Sequence, residues 1–158
     1  MILTDIAEFA RLLPDYGGLV GLDLGEKTIG LAVSDRQRSV ASPLSTIRRV
    51  KFSLDAAELL DIVQRREIVG LVLGLPLNMD GSEGARCQST RAFARNLERL
   101  SPLPIAFWDE RLSTVAAERV LLEADTSRKR RSEVIDHVAA GFILQGALDR
   151  IGHVRRQE

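Results

Sequence analysis

LVGLDLGEKTIGLAVS, residues 19–34, holds two apolar runs around one tight turn. Residues 19–24 are continuously apolar except for Asp23, the pattern of a strand covered on both faces. Gly25-Glu26-Lys27 supplies the turn, and residues 29–34 form a second strand. A third strand is predicted over about residues 40–48, with Pro43 marking it as an edge. Downstream, Ser53 is expected to cap a helix through Arg66 whose apolar side carries Leu54, Ala57, Leu59, Leu60 and Val63. A buried strand over residues 68–75, IVGLVLGL, leads into the turn-rich loop 76–84. A helix over about 85–100 follows, broken by Pro102 and Pro104, and then a fifth strand over 104–108 running into Asp109-Glu110-Arg111. Ser113 or Thr114 caps a helix to about Glu123, a loop covers 125–132, and a last helix spans about 133–151, with Val134, Val138, Phe142 and Leu148 inward. Upstream, residues 2–13 read as an amphipathic helix capped by Thr4 and ended by Pro14 and Gly17-Gly18. The order predicts an α/β fold: a mixed five-stranded sheet, its first three strands antiparallel and the later ones parallel, with helices on both faces. Residues 1–158 then make a single domain, with 1–16 as an N-terminal helical extension.

Composition narrows the chemistry. A single cysteine, Cys87, excludes an internal disulfide and a cysteine-based zinc cluster. Two histidines, His137 and His153, supply a histidine-rich metal site or a Ser-His-Asp arrangement poorly. Any catalysis therefore falls to carboxylates. No apolar run reaches the roughly 20 residues a membrane span requires. The leading segment carries Asp5 and Glu8 before its first basic residue, Arg11, unlike a secretory signal, so a cytoplasmic protein is expected. Net charge is zero, which argues mildly against nucleic acid, but Arg128, Lys129, Arg130 and Arg131 form an unbroken basic run.

Three acids stand out. Asp23 interrupts an apolar strand close to its C-terminal end, the edge where open α/β sheets bind ligands. A structural alternative is a buried acid tying down the next turn. Asp109 and Glu110 follow another buried strand; adjacent strand residues face opposite ways, so one can bind a metal while the other pairs with Arg111 or starts a helix. Asp136 sits in the first turn of the last helix among Ala139, Ala140 and Gly141, small residues that permit close approach to a sheet. A dipole-stabilising role would also place an acid there. Converging carboxylates repel one another unless a cation neutralises them, and hard oxygen ligands favour magnesium, manganese or calcium. Two such ions about 4 Å apart can activate a water and stabilise the leaving oxygen of a phosphodiester. Asn78, in GLPLNMDGSEG (residues 74–84), offers a phosphate or sugar contact, with Gly81 and Gly84 allowing close backbone approach. Cys87, His137 and Trp108 read as structural: a small hydrophobe, a helix-surface group and a core anchor.

GLDLGEKTIGLAVSD, GLPLNMDGSEG, WDERLSTVAAE and SRKRRSEVIDHVAA, in this order, resemble the YqgF/RuvX family of Holliday-junction-resolvase-like proteins, from about Leu19 to Asp149. The resemblance implies an RNase H-like fold and a nuclease dependent on Mg2+ or Mn2+, associated with maturing the 5′ end of pre-16S rRNA. Carried onto this chain, it makes Asp23, Glu110 and Asp136 the catalytic metal ligands. Lys27, Asn78, Arg111, Arg128, Lys129, Arg130 and Arg131 would position the phosphate backbone. The expected partners are RNA and the pre-ribosomal particle, with branched DNA as an alternative, and the protein a monomer or weak homodimer. Thr28 departs from the family, which often has a basic residue there; that bears on a phosphate contact at 28, not on the metal site.

Other classes compete. Asp23, Gly25 and Gly30 also resemble the phosphate hairpin of actin, hexokinase and Hsp70 ATPases, but those close two lobes around ATP and this chain has length for one. A non-catalytic factor that binds ribosomal RNA is a second rival. Holliday-junction resolution is a third, and it demands a two-fold dimer with paired sites.

Overall fold

The computed structural model describes residues 1–112 and 128–157, the side chains of 128–136 lying outside that description. Its strands are β1 (Ile2–Leu3), β2 (Leu19–Leu24), β3 (Thr28–Ser34), β4 (Ala41–Arg48), β5 (Gly70–Leu75) and β6 (Ile105–Asp109). Its helices are α1 (Ile6–Leu12), α2 (Phe52–Arg65), α3 (Ala85–Glu98) and α4 (Arg128–Arg156), with a 3₁₀ turn at Glu110–Leu112. All six strands form one sheet in the order β1-β6-β5-β2-β3-β4. β2, β3 and β4 pair antiparallel, whereas β5 pairs parallel with both β2 and β6. The mixed sheet is as expected, with one strand more.

The extra strand corrects the reading of residues 2–13 as one helix. Ile2 and Leu3 pair parallel with Ile105 and Ala106 at the sheet edge, and the helix starts only at Ile6. Asp5, not Thr4, caps it, accepting from the Ala7 N–H at 2.9 Å. Two apolar residues are too few to carry a strand period, so only the β6 edge specifies them.

β2 and β5 are buried along their whole length because helices cover both sheet faces. Alternation sorts their side chains. Val20, Leu22, Leu24, Leu71 and Leu73 pack with α2 and α3. Leu19, Val72, Ala106 and Trp108 pack with α1 and α4. α2 begins at Phe52 with Lys51 as its N-cap residue, two positions before the predicted cap, Ser53. Its buried stripe is Asp55, Ala56, Leu59 and Ile62, so Leu54 and Ala57, predicted inward, face solvent. Asp55 turns inward because its carboxylate accepts the Val50 N–H at 3.1 Å, which fixes the helix rotation.

α4 is longer than predicted and includes Arg128 to Arg131, which the sequence reading placed in a loop. Its buried residues are Ala139, Ala140, Ile143, Leu144, Ala147, Leu148 and Ile151; Val138 and Phe142 are only half-buried. Val134 and the helix predicted from Ser113 or Thr114 to Glu123 lie outside the described residues. Glycines let α4 sit against the sheet. A Cβ on Gly21 would stand 2.7 Å from Leu144 Cβ and 3.1 Å from the Ala140 carbonyl oxygen. A Cβ on Gly146 would stand 2.7 Å from the Trp108 ring.

Candidate active site

The parallel strands β2, β5 and β6 all end at one sheet edge, and the acids lie there. Asp23 follows Gly21 by two residues and so shares the face under α4. It is 2% exposed. Glu110 follows Trp108 by two residues, immediately past β6, and is 9% exposed. Between their strands lies β5, whose residue at this level is Gly74, paired with Trp108. A Cβ on Gly74 would stand 3.0 Å from Ile143 Cγ1 and 3.4 Å from the Glu110 carboxyl carbon. The missing side chain makes room for Ile143 of α4, which fills the space over β5 between the strands of the two acids.

α4 meets the same level from above. Asp23 pairs with Gly30, Gly30 pairs with Thr46, and the Thr46 hydroxyl lies 3.1 Å from His137 Nδ1. Further along, Gly141 packs on Pro43 and the Gln145 side-chain Oε1 accepts the Ala41 N–H, so α4 runs opposite to β4 and β2. The helix therefore arrives at the height of Asp23 at residue 137. Asp136 is the preceding residue of that helix; its side chain, and those of Arg128, Lys129, Arg130 and Arg131, lie outside the described residues.

Asp109 and Glu110 divide as strand alternation requires. Asp109 binds the Arg111 guanidinium through both carboxylate oxygens, at 2.7 to 3.1 Å, and accepts its backbone N–H at 2.9 Å. The Arg111 side chain holds the Asp109 carboxyl below the usual carboxylate range. Glu110 turns inward instead. Arg111 also donates to the Met79 carbonyl at 3.3 Å, which ties the loop 76–84 to the end of β6. Arg91 clamps the loop's other end through Glu83 at 2.6 Å. Inside the loop, Asn78 donates to the Ser82 hydroxyl at 2.9 Å, and Asp80 accepts from the Ser82 N–H and hydroxyl. Lys27 lies in the turn between β2 and β3, whose Gly25 N–H donates to the Thr28 carbonyl.

Among the described residues no group of three His, Cys, Asp or Glu side chains stands ready for a metal. Asp23 and Glu110 are the two described members of the expected trio. Their chemistry suits a hard divalent cation: both are buried carboxylates that offer oxygen donors. Cys87 is fully buried and burial pushes its thiol pKa up, so it is packing rather than a nucleophile.

The sequence reading passed over one neighbouring feature. Thr28, Ser45, Thr46, Arg48 and His137 line a cavity of about 300 Å³ between β3, β4 and the start of the described part of α4. His137, read as a helix-surface group, forms one wall. Its contact with Thr46 spans 91 residues of sequence and has no local signature.

Residues 17–150 match the family model described as "RuvX: Holliday junction resolvase". The chain is similar to proteins named "Putative pre-16S rRNA nuclease" in two organisms. The one from Ruegeria pomeroyi is 73% identical over 96% of this chain and 98% of its own length. The one from Paracoccus denitrificans is 72% identical over the full length of both. Among solved structures, Thermus thermophilus RuvC in complex with a Holliday junction substrate superposes with a TM-score of 0.53, covering 86% of this chain and 96% of that one. At 12% identity the likeness is one of fold, the RNase H-like fold.

Proposed function

The chain belongs to the RuvX family, and from that premise we propose that it is a divalent-metal nuclease hydrolysing phosphodiester bonds in the 5′-end maturation of pre-16S rRNA. The observation that carries the reading is the pair of buried acids, Asp23 and Glu110, set on the α4 face at one sheet edge, on the strands either side of Gly74. Asp23, Glu110 and, from the head of α4, Asp136 would hold Mg2+ or Mn2+. Bound there, the metal supplies positive charge that makes a water acidic enough to attack phosphorus and offsets charge on the leaving oxygen. The remaining work belongs to the chain. Asp23 and Glu110 are held on rigid strand ends, which fixes their separation before substrate arrives. Asp109 locks the Arg111 guanidinium at the mouth of the site, where it can meet a phosphate of the substrate strand. Lys27, Asn78 and the basic run Arg128 to Arg131 extend that contact. The substrate in this reading is RNA within a cytoplasmic pre-ribosomal particle, bound by a monomer or weak homodimer.

The test incubates purified protein with pre-16S rRNA and with a four-way DNA junction, each with Mn2+ and with chelator. Metal-dependent cutting of the RNA at its 5′ flank, absent in Asp23→Asn, is the expected result. Cutting of the junction alone would transfer the assignment to resolution. Binding without cutting of either would leave an RNA-binding factor.

A further inference from the structure

On the face of the sheet turned away from α4, the same active edge carries two cations that the site does not use. Leu24 follows Asp23 on β2 and so points to the opposite side, where α2 and α3 pack. There the β2–β3 turn, the residue after β4 and the first turns of α3 line a cavity of about 110 Å³, whose polar walls are Glu26, Arg49, Arg86 and Ser89. Arg49 donates to the Gly25 carbonyl at 2.6 Å and Arg86 to the Leu24 carbonyl at 3.3 Å, so two guanidinium groups converge on consecutive residues. Arg49 is further fixed by its backbone N–H, which donates to the Lys27 carbonyl at 2.9 Å, and by the Phe93 ring, whose centre lies 6.0 Å from its guanidinium carbon. Each guanidinium has five N–H donors, and the turn takes one from each. Among the described residues neither pairs with a carboxylate, Glu26 included. Bracing a turn requires donors, which neutral side chains also supply; it does not require two like charges at one place. Like charges held together repel unless an anion lies between them. Guanidinium and hydroxyl donors are the usual contacts to phosphate oxygens, which position a strand without reading its sequence. Glu26 opposes an anion, and the two cations outweigh it.

We propose that this cavity is an anion subsite, holding a backbone phosphate of the substrate strand that flanks the one cut. Arg49 and Arg86 bind its oxygens, Ser89 adds a hydroxyl donor, and Glu26 limits the affinity. A strand that crosses the sheet edge from Asp23 to this cavity passes over the β2–β3 turn, which carries Lys27. The identity of the anion as nucleic-acid phosphate rests on the nuclease reading above; the existence of the anion site does not.

The test measures binding, so it needs no turnover. A labelled single-stranded RNA spanning the 5′ precursor junction is titrated in chelator over a series of salt concentrations. The proteins are wild type, Arg86→Gln, Arg86→Lys and Glu26→Gln, with Arg95→Gln and Glu58→Gln as controls that change the same charges outside the cavity. All four positions are exposed, so the changes leave the core intact. Arg86→Gln is expected to weaken binding about tenfold and to reduce the salt slope by about 0.7, the loss of one phosphate contact. Arg86→Lys keeps the charge and should keep the slope. Glu26→Gln should tighten binding about threefold, which a mere turn brace would not do. The controls should match wild type. Single neutral methylphosphonate linkages then locate the contact: one position near the cut should weaken wild type and have no further effect on Arg86→Gln. Wild-type affinity and slope in Arg86→Gln, no tightening in Glu26→Gln, the same penalty in both proteins at every linkage, or no binding by wild type would each overturn the proposal. Arg86-dependent binding by a protein that cuts nothing would sink the nuclease reading and leave the subsite standing. Normal cutting with an indifferent Arg86 would do the reverse.

Discussion

Asp23 concentrates the chemistry of the molecule at one position, a carboxylate 2% exposed in a strand otherwise made of apolar residues. Loss of a group that merely supports a metal ligand costs about 10- to 100-fold in activity or affinity. Asp23→Asn, which removes a proposed ligand outright, is expected to lower the cleavage rate by more than about 100-fold while RNA binding persists. Single-turnover assays and binding titrations on the same preparation separate the two. Asp109 predicts a different signature. Its pKa lies below the ordinary 3.8 chiefly through the Arg111 side chain. A carboxyl with a depressed folded-state pKa adds stability that is present above its unfolded value and lost as pH falls through the folded one. Asp109→Asn should therefore lower the urea midpoint at pH 7, and the gap to wild type should close in acid below the ordinary carboxylate range. A gap that persists there would mean that Asp109 acts by something other than its charge. At this scale much was legible. A lone acid in an apolar run is visible without coordinates, because burying a charge is costly enough to need a reason. The different duties of Asp109 and Glu110 followed from alternation, but which acid faced inward did not. That depends on the side of the sheet α4 covers.

Among the elements, α4 governs the site, since it covers the face that carries Asp23 and Glu110. Its approach depends on Gly21, where a Cβ would meet the Cβ of Leu144 and the carbonyl of Ala140, atoms that cannot swing aside. Gly21→Ala is expected to cost about 1–3 kcal/mol by overpacking, lowering the melting temperature by roughly 2–12 °C. Because the displaced helix carries residue 136, cleavage should fall further than stability alone explains at a temperature where the variant remains folded. Calorimetry and activity on the same sample check this. The periods of α2 and α4 marked them as helices but mis-set their inward faces. In α2 the Asp55 contact with the Val50 N–H sets the rotation, and Leu54 is left 54% exposed. A helix period fixes the width of an apolar stripe more firmly than its centre when Leu and Ala also occur on the flank.

For the whole molecule, net charge is zero, so RNA affinity must come from local contacts rather than overall attraction. A metal that binds only the folded chain must also stabilise it, by about 2.7 kcal/mol at 100 times its dissociation constant. Saturating Mn2+ is expected to raise the melting temperature of wild type and not of Asp23→Asn, and chelator should abolish both the rise and the cutting. An equal rise in the variant would place the ion elsewhere. The sequence by itself determined the layering of the molecule and its candidate acids: continuous apolar runs mean strands covered on both faces, and a charge inside such a run is informative wherever the strand lies. Only the tertiary structure decided the β1–β6 edge, the rotation of α2, the placing of two acids on the strands either side of Gly74, and the pocket walled by His137 and Arg48. Each of these depends on pairs of groups distant in sequence, and a contact of that kind leaves no period, cap or turn signal in the residues that make it.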